Sequence, residues 1–336
     1  PADYPVRVLR EDPKREGLLF AGTEFGMFIS FDDGNNWQSF QQNLPITPIT
    51  DIKIHRNDVV LSTMGRSFWI LDNINYLRNF SFNDNDFLYP VSNTIRYRNR
   101  PSNSNHVTYP RTSVDIDYKI TNESVGEILI TIMDDENNLI NSYKSINKNQ
   151  NIENYEMSTN EFTFISNSNI SNKIGVNRFR WDMRHRGSWN KNSRFSYRNG
   201  PMAKPGQYKV ILTIDGRSFT EIFEIISDPR IKDVNAEVYD EQEKFLLEIR
   251  DFMTDVRLFE DKVSKMLEKK PKNKNLNSIK DHLVTKKGTY MKPMLIDQIR
   301  YLQSMLSRAD QKPGKDALIR LKELKSEFKI LKNKLG

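Results

Sequence analysis

In several runs between Val114 and Ile214 the apolar residues of this chain recur at every second position, and from Phe245 onward they recur every third and fourth. Val114, Ile116, Tyr118 and Ile120 alternate with polar neighbours, as do Ile128, Ile130 and Ile132, then Tyr208, Val210, Leu212 and Ile214. A period of two places alternate side chains on one face of a strand, whereas a period near 3.5 draws one stripe down a helix. The later stripe runs through Phe245, Ile249, Phe252, Val256, Phe259, Val263 and Met266, and is interrupted by Pro271-Lys272-Asn273-Lys274-Asn275. It resumes at Leu295, Ile299, Leu302 and Leu306, stops at Pro313-Gly314, and finishes through Leu321, Leu324, Phe328, Leu331 and Leu335. This predicts a mainly β chain with an α tail, residues 229–336 forming an antiparallel three-helix bundle.

Residues 1–85 carry short strand patterns. Val6–Arg10, Leu18–Thr23, Met27–Phe31 and Trp37–Phe40 read as a four-stranded meander, and Asp51–His55, Val59–Thr63 and Phe68–Leu71 restart the pattern. Two such groups in succession, each near the length of a four-stranded unit, are the mark of propeller blades. The turn between the third and fourth strands reads Ser30-Phe31-Asp32-Asp33-Gly34-Asn35-Asn36-Trp37, that is Ser-x-Asp-x-Gly-x-x-Trp. Ser30 and Asp32 can accept from the N–H groups of the turn, Gly34 permits its backbone, and Trp37 can plug the space between strands.

That motif resembles the Asp-box, or BNR, repeat of sialidase-like and sortilin-like β-propellers. Ala21-Gly22-Thr23-Glu24-Phe25-Gly26-Met27-Phe28 before it, and Ser62-Thr63-Met64-Gly65-Arg66-Ser67-Phe68-Trp69-Ile70-Leu71-Asp72 after it, resemble the final blades of large bacterial proteins labelled BNR-repeat or sortilin-N-terminal-like glycosyl hydrolases. The resemblance implies a structural role for Ser30, Asp32, Gly34 and Trp37, not a catalytic one. It also implies a secreted or cell-surface bacterial protein, with an export signal expected upstream of Pro1. Seven strands cannot close a propeller, so the remaining blades are expected from upstream sequence or from a second chain.

Residues 86–228 open on a linker punctuated by Tyr89-Pro90, Arg100-Pro101-Ser102-Asn103-Ser104-Asn105 and Tyr109-Pro110. The alternating strands that follow, with further ones at Phe162–Ile165, Val176–Trp181 and Phe219–Ile226, predict an immunoglobulin-like β-sandwich. Between Arg186 and Ala203 lies a long loop holding Trp189, Phe195 and Tyr197 among Arg and Asn residues. Exposed aromatics beside arginine suit a sugar- or protein-binding surface, and the same residues could instead pack the sandwich onto the propeller.

The chain has no cysteine, which excludes disulfides, thiolate metal sites and a Cys nucleophile. His55, His106, His185 and His282 are too widely spaced for a local metal motif, and no cofactor signature is present. Net charge is +7, with 25 Lys and Arg against 17 Asp and Glu from Pro229 onward. No aromatic residues interleave with those basic ones as a single-strand stacking platform requires, which argues against nucleic acid as a partner. No apolar run reaches the roughly 18 residues of a transmembrane helix.

Two polar residues in Gly-flanked turns, Glu24 and Arg66, are candidates for binding an anionic or glycan ligand at a propeller mouth. The chain therefore reads as the C-terminal part of a larger propeller protein that binds glycans or proteins and scaffolds them. The alternative is a fragment of a glycoside hydrolase whose site lies mostly upstream. In that case Glu24 and Asp72 would be the acids to test, because hydrolysis takes two carboxyl groups about 5–10 Å apart.

Overall fold

A computed structural model describes residues 3–83, 85–98, 112–122, 126–145, 170–192 and 196–335. The expected strand at Phe162–Ile165, the Arg100–Asn105 and Tyr109-Pro110 punctuation and Phe195 lie outside them. The chain divides into two compact units, Pro1–Asn85 and Asp86–Gly336.

In the first unit β1 (Val6–Glu11), β2 (Leu19–Thr23), β3 (Gly26–Ser30) and β4 (Gln38–Ser39) form an antiparallel meander in the order β1-β2-β3-β4. A second sheet follows from β5 (Ile49–His55), β6 (Asp58–Thr63) and β7 (Phe68–Leu71), and the short helix α1 (Asn75–Arg78) ends the unit. The two sheets share one core in which Phe20, Ile29, Ile49 and Ile52 are fully buried. They approach closely at Gly22, where a Cβ would lie 2.7 Å from Ile49 Cγ2 of the second sheet and from Val8 Cγ1 of its own. Glycine is required there because the sheets leave no room for a side chain.

In the second unit a three-stranded sheet, β13-β10-β8, faces a five-stranded one, β12-β11-β14-β15-β9, across a shared core. Their strands are β8 (Phe87–Leu88), β9 (Thr94–Arg96), β10 (Val114–Ile120), β11 (Ile128–Asp134), β12 (Leu139–Lys144), β13 (Gly175–Trp181), β14 (Gly206–Ile214) and β15 (Arg217–Ser227). Trp181, Tyr208 and Phe223 pack together at its centre with ring centroids 5.9–6.2 Å apart. The expected linker is thus partly sheet: β8 pairs with β10, and β9 adds to β15 as the parallel edge. Two or three residues are too few to show alternation, so these strands are defined by their neighbours rather than by their own pattern.

Four helices follow where three stripes predict three: α2 (Ala236–Lys269), α3 (Lys274–Leu283), α4 (Leu295–Leu306) and α5 (Lys315–Leu335). Asn275 Nδ2 donates to Lys334 O at the end of α5, and Gln242 Nε2 near the start of α2 donates to Leu306 O at the end of α4. By these contacts α3 runs antiparallel to α5, and α4 antiparallel to α2. Asn273 caps α3 by accepting from Leu276 N, so the supposed break is a helix start. Along α2 the buried position moves from the 266 predicted by a strict heptad to Leu267, while Met266 is exposed. A helix of 3.6 residues per turn drifts about 20° per heptad, and thirty residues are enough to shift the stripe by one position.

Candidate functional site

The turns that carry Glu24 and Arg66 differ in length but share a threonine whose hydroxyl bonds back to a carbonyl. Thr23 ends β2 and its Oγ1 donates to Gly26 O (3.0 Å); Thr63 ends β6 and its Oγ1 donates to Ser67 O (2.6 Å). In each, a side-chain hydroxyl ties the end of the strand to a carbonyl across the turn. Positive φ is needed at Gly26 in the first turn and at Gly65 and Ser67 in the second. The two turns also lie at the same end of the unit. Gly22, at the end of β2, packs on Ile49, and Ile49 is paired with Thr63 at the end of β6. Gln41 reinforces the link: its Oε1 accepts from Met27 N and its Nε2 donates to Leu44 O and Pro45 O. Thr47 Oγ1 then donates to Met64 O.

The resulting rim exposes Tyr4, Phe25, Ile46, Met64 and Phe68 together with Arg66. Tyr4 meets Phe25 edge to face at 5.7 Å. The Arg66 side chain is exposed, while its carbonyl accepts from Trp69 Nε1 (2.9 Å), which fixes the turn. Glu24 is engaged: Arg7 Nε and NH2 donate to its Oε1 at 2.7 and 2.6 Å. Arg7 and Tyr4 belong to this rim although neither was singled out by sequence, because β1 is brought to the turn by pairing across seventeen residues.

Asp72 lies elsewhere. Phe68 opposes Ser62 at the rim end of β7 and Leu71 opposes Val59 at the other, so Asp72 leaves the sheet at the far end. Glu24 and Asp72 therefore do not assemble the carboxyl pair that glycoside hydrolysis requires. Among the described residues no group of three or more His, Cys, Asp and Glu is placed to hold a metal ion.

In the Ser30–Trp37 turn, Ser30 Oγ is the hub. It donates to Asp32 Oδ1 (2.8 Å) and accepts from Gly34 N (2.9 Å), and Asp32 Oδ1 accepts from Asn36 N (2.8 Å). The side chain and backbone of Asn36, with Ser30, hold the Asp32 carboxyl below its ordinary pKa. Trp37 is half-buried and packs over Gly34, where an added Cβ would lie 3.6 Å from its Nε1. Ser30 is buried. Ser30→Ala should therefore cost the first unit about 2 kcal/mol by orphaning the Gly34 N–H, read as a shift in its denaturant midpoint.

The long loop of the second unit is a clamp on α2. Gly187 N donates to Tyr197 O and Tyr197 N to Ser188 O, folding the loop back on itself. Gly187 and Gly200 make that fold feasible, since a Cβ at either would come within about 2 Å of a facing carbonyl oxygen. Trp189 N donates to Thr254 Oγ1, Arg257 NH1 donates to Ser188 Oγ and Trp189 O, and Lys191 pairs with Asp261. Thr254, Arg257 and Asp261 share one face of α2. Trp189 and Tyr197 are both half-buried, and Arg186 stands 5.9 Å from the Tyr197 ring centroid. The backbone of Trp189 thus docks on α2, and that of Tyr197 closes the loop.

Scans of the sequence against protein-family models and against curated proteins returned no match. Among solved structures, the chain is similar to the extracellular domain of a protein described as a one-component system from B. thetaiotaomicron. That likeness has 13% identity and a TM-score of 0.18, and covers 68% of this chain. The chain spans about a quarter (26%) of that structure's length. Among the described residues no helix is long and apolar enough to cross a membrane.

Proposed function

We propose that Pro1–Asn85 supplies two neighbouring blades of an exported Asp-box propeller, and that the rim formed by the Glu24 and Arg66 turns binds a glycan or surface protein. On this reading the immunoglobulin-like two-sheet body and its helices serve as a rigid scaffold. The observation that carries the proposal is the pair of Thr-pinned turns at one end of two face-packed sheets. A ring of repeated sheets gathers equivalent turns at one mouth, where ligands are held. The outer face of the second sheet supports it too: Phe68 is 76% and Ile70 60% exposed on the same side of β7. Adjacent exposed large apolar side chains on a sheet face suit burial by a further sheet, from the same protein or a second chain.

The rim combines aromatic faces with an exposed guanidinium, which suits sugar rings and carboxylates. The test is to probe the chain on arrays of glycans and bacterial surface proteins. A retained ligand should lose about tenfold in affinity with Arg66→Ala and with Phe25→Ala, since each removes a contact worth about 1.4 kcal/mol. No ligand on any array, or one indifferent to both variants, would remove the rim from consideration.

A further inference from the structure

Core packing does not use all of α5. Ala317, Leu321, Leu324, Phe328 and Leu331 are buried, and beside them Leu318, Lys322, Lys325, Lys329 and Lys332 recur at spacings of four and three. That second stripe follows one side of the helix for about 21 Å, at 1.5 Å per residue. It borders a groove between α2 and α5 with a volume of about 350 Å³, lined by Phe245, Leu321, Leu318, Glu248 and the lysines at 322, 325 and 329. Farther along, the two helices meet through Phe328, which packs on Phe252 (5.7 Å) and Phe259 (5.4 Å).

The rim of this groove is unbalanced in charge. Its one carboxylate, Glu248, is engaged by Lys325 Nζ at 2.6 Å. Lys322 and Lys329 are exposed and have no ion pair among the described residues. The floor is apolar, with Phe245 and Leu321 buried beneath and Leu318 half in solvent. The volume is at the small end of ligand sites, which run from about 300 to 1,000 Å³. An apolar floor below two uncommitted ammonium groups matches a small molecule with one anionic head and one short apolar body. We propose that this groove binds a small anionic amphiphile, such as a medium-chain carboxylate, its tail on Phe245, Leu318 and Leu321 and its head between Lys322 and Lys329.

The probes are 8-anilinonaphthalene-1-sulfonate, followed by fluorescence on titration into the whole chain, and decanoate as a competitor. Dye binding should be displaced by decanoate but not by decanol at equal concentration. Lys322→Glu/Lys329→Glu should weaken decanoate by tenfold or more, and Leu318→Asp should do the same from the apolar side. Lys334→Glu, at the far end of α5, should leave affinity unchanged, and circular dichroism would show that all variants keep their helices. Equal displacement by decanol, or decanoate binding untouched by the double reversal, would overturn the proposal. So would retention of an acidic amphipathic peptide with no response to decanoate.

Discussion

Asp310→Ala should destabilise the second unit by about 3–5 kcal/mol, the cost of leaving buried charge without its counter-ion. Asp310 lies between α4 and α5 with its side chain 1% exposed, and its Oδ1 takes Arg96 NH1 at 2.7 Å and Arg98 Nε at 2.8 Å. Arg96 comes from the parallel edge strand β9, is itself buried, donates Nε to Ala203 O and stacks over Tyr239 of α2 at 4.9 Å. Burial pulls the Arg98 pKa down and the Asp310 carboxylate opposes that pull. The cluster thus joins the edge of the sheets, the end of the loop and two parts of the bundle. Without the carboxylate, two guanidinium groups remain in a poorly solvated junction. Urea unfolding followed by tryptophan fluorescence in a Trp37→Phe/Trp69→Phe background, which leaves only Trp181 and Trp189 of the second unit, should show an earlier transition, and proteolysis should separate sheets from helices. An unchanged midpoint would mean that the cluster does not hold the junction.

Arg78→Ala should cost the first unit a similar amount, about 3–5 kcal/mol, and should alter its acid sensitivity. Arg78, at the end of α1, grips Asp12 with Nε and NH2 at 2.8–3.1 Å, and Lys14 N and Arg15 N donate to the same carboxylate at 2.8 Å. The Asp12 side chain is fully buried. Burial alone would raise its pKa, but the Arg78 hydrogen bonds and the two backbone donors outweigh it and hold the carboxyl below its ordinary value. A folded-state pKa below the unfolded one of about 3.9 stabilises the fold above that pH, and this stabilisation is lost as pH falls through the folded value. The wild type should therefore lose stability on acidification below about pH 4. Arg78→Ala, weaker at neutral pH, should lose less from that point down. Parallel pH profiles for the two proteins would contradict this account of Asp12.

Much of the fold was legible because its cores are periodic. The alternation through Val114–Ile120 and Tyr208–Ile214 is carried by residues that are fully buried on one face, so pattern and burial coincide. The Ser30–Trp37 turn was legible for a different reason: its side-chain hydrogen bonds join residues at most four apart. Short elements were not legible. Leu276, Ile279 and Leu283 of α3 have helical spacing, yet one and a half repeats among lysines and asparagines look like a break. Long-range chemistry was also hidden. Arg96 and Asp310 are 214 residues apart, and Arg7 reaches Glu24 only because β1 pairs with β2. For the loop at 186–203 the composition was legible but the partner was not, since its docking face on α2 is set by the three-dimensional path of the bundle.

The most direct test of the account is hydroxyl-radical footprinting of the outer face of β7, read by mass spectrometry at Phe68 and Ile70, in this chain and in a longer one carrying additional blades. Oxidation that is high in the shorter protein and falls several-fold in the longer one is the predicted result. Equal oxidation of Phe68 and Ile70 in both would show that this face never receives a neighbouring sheet, and would contradict the reading of residues 1–85 as part of a ring.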